Sequence, residues 1–210
     1  MTYLRDPAEI YRESWRTVAA ETDLSALPPS LHPVALRVVH AAADPSLAAL
    51  LRASAGAVEA ARAALAGGAP ILVDAEMVAS GVTRRFLRAR SDVRCALNDP
   101  RVPELAQRFA TTRSAAAVEL WRPWLGGAVI AIGNAPTALF HLLAMLDDGA
   151  PRPAVVLGFA VGFVGAEAAK AALMAQDRVP WIALAGRRGG SALAAAAINA
   201  LAAADADEGE

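Results

Sequence analysis

The chain has 210 residues, 56% of them hydrophobic, and a formal net charge of -1. That length suits one domain with a continuous core and room for a ligand cleft, and the near-neutral charge excludes a general nucleic-acid binder, which needs a positive excess to neutralise phosphates. A single cysteine, Cys95, excludes an intrachain disulfide and a thiolate metal cluster, and Met1 to Arg16 carries no signal-peptide core, so a reducing cytoplasm is the expected location.

Three helices are predicted first: one from about Ala8 to Thr22, a second opened by Pro28-Pro29-Ser30 and ending near Ala43, and a third from about Ser54 to Leu65, stopped at Gly67-Gly68. A short apolar strand, Pro70 to Val73, follows, with helical Ala75 to Val78 behind it. A weaker strand, Val93 to Leu97, precedes a helix predicted over Thr111 to Leu125. Three strand–turn–helix units then repeat one design. Their strands are Ala128 to Ile132, Ala154 to Leu157 and Trp181 to Leu184, and their helices are Pro136 to Leu146, Ala166 to Ala175 and Ser191 to Ala203. The strands are uniformly apolar rather than alternating, as when helices cover both faces of a parallel sheet. The expected fold is therefore α/β: a mostly parallel five-stranded sheet flanked by helices, with an N-terminal helical segment. Residues 1–204 read as one domain, and the acidic run Asp205 to Glu210 as a disordered tail.

One segment could mislead. Pro123 to Leu146 carries no Asp, Glu, Lys or Arg and is long enough for a bilayer of ~30 Å. Its middle, Gly133-Asn134-Ala135-Pro136-Thr137, would leave amide groups unsatisfied in lipid, so a buried strand, turn and helix fit better and no membrane contact is expected.

In open parallel sheets ligands sit beyond the carboxyl ends of the strands. Here those ends are glycine-rich turns leading into helices, whose free N–H groups favour anions. The familiar nucleotide signatures are missing: no G-x-G-x-x-G follows a strand, and the only lysine, Lys170, lies in Ala168-Ala169-Lys170-Ala171 rather than in a P-loop. His32, His40 and His141 lack metal-ligand spacing. Ser14, His40 and an acid could form a hydrolase triad, but no G-x-S-x-G elbow supports it. The other basic residues are all arginine, whose planar fork suits a polycarboxylate ligand, although an alanine- and arginine-rich composition accounts for most of that bias.

His40 lies late in the second predicted helix. At helical spacing Leu31, Val34, Val38 and Ala42 form the stripe expected to face the core, and His40 falls on the opposite side. Arg37, three residues earlier, is its surface neighbour, and Leu36 and Val39 suggest that this side is also covered. Such a histidine reads more readily as a residue without chemistry than as part of a cleft, unless motifs overturn that reading.

Several stretches decide between these readings. They are Ile10-Tyr11-Arg12-Glu13-Ser14, Arg37-Val38-Val39-His40-Ala41, Gly68 to Val78, Gly81-Val82-Thr83-Arg84 and Thr112-Arg113-Ser114-Ala115-Ala116. Ala131 to Phe140, Val161-Gly162-Phe163-Val164-Gly165-Ala166 and Gly186 to Ala192 complete the set. In this order, across roughly Asp6 to Leu201, the chain resembles the precorrin-8X methylmutases of corrin biosynthesis. The resemblance implies an isomerase that moves a methyl group from C-11 to C-12 of a tetrapyrrole to give hydrogenobyrinic acid, without cofactor or metal. It also implies a homodimer with sites near the interface. In the family the histidine of an arginine-x-x-histidine motif is the acid/base, here His40, and protonating or hydrogen-bonding a ring nitrogen would ease methyl migration. Ser14 and Arg37 match substrate-contacting positions; Thr83, Arg84, Arg113, Asn134 and Thr137 are further candidate contacts.

The chain departs from the family where Ala42 and Ala43 replace a frequent Cys-Gly pair, and at Val73, Ala160 and Ala169. A non-catalytic corrinoid carrier, or the same shift on cobalt-precorrin-8, stays open as an alternative. On this reading the glycine turns are scaffold and rim, and the chemistry sits at His40.

Overall fold

The structure, a computed structural model, describes residues 3–87 and 91–203. The predicted acidic tail, 205–210, lies outside the described residues. The helices are α1 (Pro7–Glu21), α2 (His32–Ala42), α3 (Ala57–Ala66), α4 (Glu76–Gly81), α5 (Val102–Arg108), α6 (Arg113–Glu119), α7 (Pro136–Asp147), α8 (Ala166–Ala175) and α9 (Ser191–Ala202). The strands are β1 (Leu51–Ala53), β2 (Ile71–Val73), β3 (Val93–Cys95), β4 (Val129–Ile132), β5 (Val155–Gly158) and β6 (Trp181–Leu184).

These strands form one sheet in the order β1-β6-β5-β4-β2-β3, parallel except for β1, which runs antiparallel to β6 with Leu51 opposite Leu184. The sheet is thus mixed and six-stranded rather than the expected five. The extra strand is three residues long and sits in a run of Leu and Ala that carries no strand signature. Its identity comes from the distant β6, whose Ala185 N–H reaches the Leu50 carbonyl at 2.9 Å.

Side-chain alternation divides the core into two layers. Ile71, Val73, Val129, Ala131, Val155, Leu157, Ile182 and Leu184 pack with α2, α3 and α9. Leu72, Ile130, Ile132, Val156 and Ala183 face Trp121 and the apolar sides of α6, α7 and α8. Both faces are covered, which is why the inner strands β2, β4, β5 and β6 are apolar throughout, while Arg52 and Arg94 sit on the edge strands.

Four local features differ from expectation. The helix predicted over Thr111 to Leu125 is α6 followed by a 3-10 turn at Arg122–Trp124, because Pro123 has no N–H to continue the ladder. The short α5, with Pro103 in its first turn, was not anticipated. The third helix starts at Ala57 rather than Ser54, behind Gly56 in the left-handed region at φ 73°. On α2 the buried stripe is Val34, Ala35, Val38 and Val39, while Ala42 is exposed. Val39 therefore belongs to the core and does not share His40's outer side.

Pro123 to Leu146 resolves into the 3-10 turn, β4 and most of α7. Among the described residues no helix is long and apolar enough to cross a membrane.

Candidate functional site

Asp6 caps α1 by accepting from the Ala8 N–H at 2.9 Å. None of this helix's residues is buried, and it lies across the outer side of α2, where His40 stands half-buried. Consecutive turns of α1 deliver Tyr11, Ser14 and Trp15 to that histidine. The Ser14 hydroxyl lies 3.2 Å from His40 Nδ1. The Trp15 ring stacks on the imidazole, with centroids 4.9 Å apart and planes 8° apart, and Tyr11 meets it edge-on at 6.4 Å. Arg37, one turn before His40, places its guanidinium 5.4 Å from the Trp15 ring and 5.3 Å from that of Phe86. Phe86 belongs to the 3-10 turn Arg84–Phe86, which also carries the exposed Arg84.

Next to His40 opens a cleft of about 350 Å³, lined in part by Ile10, Glu13, Ser14, Val18, Glu21 and Pro45. Its two carboxylates make it acidic, although Glu13 is paired with Arg16 at 2.5 Å. The other surroundings of His40 are cationic and aromatic. Ser14 engages Nδ1, and Nε2 has no hydrogen-bond partner among the described residues. An imidazole held in this way can give or take a proton at Nε2.

Ser14, Arg37 and His40 are thus brought together. Thr83 and Arg84 join them through Phe86, on a turn fixed from behind. Asn199, in α9, accepts from the Thr83 N–H at 2.8 Å and donates to the Gly81 carbonyl at 2.9 Å. The remaining candidates form a second group. Thr137 Oγ1 lies 2.8 Å from Thr112 Oγ1, and Thr112 caps α6 next to Arg113. Arg113 donates to the Leu97 carbonyl at 3.2 Å and to Asn98 Oδ1 at 3.3 Å. Among the described residues no hydrogen bond or ring contact joins this group to His40.

The turn after β4 is built differently from an open anion seat. The Asp74 carboxylate, at the end of β2, accepts from the N–H groups of Gly133 at 2.8 Å, Asn134 at 2.9 Å and Ala135 at 2.7 Å. Asn134 is therefore held by its backbone, with its side chain on the surface. Burial pushes the Asp74 carboxyl above its ordinary value, against the pull of the three N–H donors. A Cβ on Gly133 would come within 2.9 Å of Ala194 and of the Ser191 backbone, so only glycine lets this turn approach α9 so closely.

The turn after β6 is also tied inward. Gly190 N–H donates to the Phe159 carbonyl at 2.8 Å, and Lys170 Nζ reaches the Arg188 carbonyl at 2.5 Å. The Arg188 side chain reaches Asp44, just past α2, at 2.9 Å.

Sequence reasoning missed Trp15, Asp74 and Asn199. The last two carried a signal, being polar residues inside otherwise apolar stretches. Trp15 carried none beyond its adjacency to Ser14.

Comparison with known proteins finds similarity over nearly the whole chain. A family model described as precorrin-8X methylmutase matches residues 9–204. The chain is 56% identical over 201 residues to the precorrin-8X methylmutase of Pseudomonas aeruginosa, covering 95% of this chain and 97% of that one. It is 36% identical over 190 residues to the cobalt-precorrin-8 methylmutase of Methanothermobacter thermautotrophicus, covering 90% and 88%. A solved precorrin-8X methyl mutase from Thermus thermophilus superposes with a TM-score of 0.84 at 45% identity, over 92% of this chain and 94% of that one.

Proposed function

The chain belongs to the precorrin-8X methylmutase family, and on that premise we propose that it is an isomerase of cobalamin biosynthesis that moves a methyl group from C-11 to C-12 of precorrin-8X, giving hydrogenobyrinic acid. The observation that carries the site assignment is the cluster of Ser14, Trp15 and Arg37 around a half-buried His40. His40 gives a proton or hydrogen bond from Nε2 to a ring nitrogen of the substrate. The conjugated system becomes electron-poor, the methyl migrates to the neighbouring carbon, and the proton returns to the imidazole. An imidazole can serve in both directions, as donor and as acceptor of the proton.

Charge sets the side of approach. The substrate is fringed with carboxylates, and the acidic lining of the 350 Å³ cleft at Glu13 and Glu21 repels them. Arg37, Arg84 and the exposed Arg85 offer forks for them. The macrocycle therefore docks from the arginine side, with Phe86 near its apolar body.

A homodimer completes this reading. Arg113, Asn134 and Thr137 make no hydrogen bond or ring contact with His40 among the described residues, and in a dimer the two groups of one site can come from different subunits. Exposed apolar side chains on and before α1, Leu4, Ile10 and Tyr11, supply surface for such an interface. Cys95 is a free thiol, which suits a cytoplasmic location. The higher identity to the metal-free precorrin-8X enzyme, 56% against 36% for the cobalt one, favours the metal-free substrate.

The test is incubation with precorrin-8X while the visible spectrum is followed. Conversion to the product spectrum is expected, and binding without conversion would leave a corrinoid carrier instead. His40→Ala is expected to bind product and to lose turnover by roughly 10²–10⁴-fold.

A further inference from the structure

We propose that Trp15 is a positioning residue for His40, acting on the plane of the imidazole rather than on the substrate. The inference rests on His40 being the acid. A histidine has two side-chain torsions, and the second is broad, so a ring held by one hydrogen bond can still rock about it. Here two consecutive residues of one helix remove that freedom. Ser14 engages Nδ1 at 3.2 Å and fixes which ring edge is presented. Trp15 lies against the ring's face, 4.9 Å between centroids and 8° from parallel, and fixes its tilt. Tyr11, one turn back on the same side of α1, meets both rings edge-on, at 5.9 Å from Trp15 and 6.4 Å from His40.

The indole is placed for its face and not for its N–H. Trp15 Nε1 is buried and has no hydrogen-bond partner among the described residues. Buried tryptophans ordinarily use that donor, because leaving it unmade is costly. What its faces meet is the imidazole and the Arg37 guanidinium, 5.4 Å away. The resulting order, with Nδ1 engaged and the plane clamped, leaves Nε2 as the one ring nitrogen available to a substrate. Proton delivery to a ring atom is sensitive to such placement, and errors of about an ångström cost up to about 10²-fold in rate.

The experiment compares wild type, Trp15→Leu, Trp15→Phe and His40→Ala in the full-length protein. It reads kcat and KM with precorrin-8X, and the His40 ring-proton shifts by NMR in the free protein. Trp15→Leu is expected to lower kcat about tenfold or more with KM within about threefold. It is also expected to move the His40 ring protons downfield by removing the indole ring current. Trp15→Phe restores a face without the unpaired N–H, so it is expected to recover kcat to within about threefold. Should Trp15→Leu not fold, Trp15→Met fills the volume without a ring and replaces it. Wild-type kcat in the ring-less variant, with His40→Ala inactive, would overturn the proposal alone. So would equal losses in the Phe and Leu variants, or a rise in KM at constant kcat. Wild-type turnover in His40→Ala would overturn the acid assignment itself and the role of Trp15 with it.

Discussion

Lys170 Nζ lies 2.5 Å from the carbonyl oxygen of Arg188, with the whole lysine side chain withdrawn from solvent. The contact ties α8 to the turn after β6. Burial pushes the ammonium down from 10.5 to about 8, against a weaker upward pull from Glu167. The folded protein therefore releases this proton near pH 8 and the unfolded chain near 10.5. Between these values the unfolded state binds more protons, so stability from this group rises with pH; below the window it is a constant penalty. Urea unfolding of wild type and Lys170→Met should show the difference moving in favour of wild type across that window, by at most about 3 kcal/mol. A pH-independent difference would show that Lys170 titrates alike in both states.

Asp74 is a second internal tie. Replacing it with alanine strands three N–H groups at Gly133, Asn134 and Ala135. Hydrogen bonds to a charged group contribute roughly 1.5–3 kcal/mol each, and a buried turn has little water to replace them. Asp74→Ala should lower stability by about 3 kcal/mol or more, read as a shifted urea midpoint at unchanged slope. Asp74→Asn should fall between, since its amide brings a donor to a site full of donors.

The α6 cap and the Asn199 clamp show how far the sequence reached. The strand–turn–helix repeats, the apolar strands and the position of His40 on an outer helical side were legible, because each is written in local periodicity. Residues 51–53 were not legible as a strand: three residues acquire that identity only by pairing with β6. The break in the predicted Thr111 to Leu125 helix was marked by Pro123 but overridden by the apolar run around it. At the site, Ser14, Arg37 and His40 came from matched motifs, and their convergence depends on α1 crossing α2, which no spacing encodes. Asp74 and Asn199 bond backbone groups 59 and 116 positions away, so a single polar letter in an apolar stretch was all the sequence could show.

Asn199→Ala removes the acceptor for Thr83 and the donor for Gly81. A global loss of about 2 kcal/mol is expected. The sharper readout is hydrogen exchange, which should accelerate at 81–87 more than elsewhere because the turn carrying Arg84 is released from α9. Uniform acceleration would instead mark Asn199 as a general core residue.

Arg37 has no carboxylate partner among the described salt bridges, and its guanidinium rests on Trp15 and Phe86. Arg37→Lys keeps the charge but loses the fork, so KM for precorrin-8X should rise about tenfold; Arg37→Ala should raise it by up to about 10². An unchanged KM in both variants would show that substrate carboxylates are met elsewhere.

The turn entering α7 has the form on which many α/β proteins hold a phosphate, with free N–H groups ahead of a helix. In this chain a covalently attached anion, the Asp74 carboxylate, already occupies it. A tethered occupant does not dilute, so inorganic phosphate and nucleotides in the surrounding solution find no vacancy there. On the proposed reading, recognition would pass from backbone to arginine side chains, whose flat forks match a planar carboxylate edge to edge.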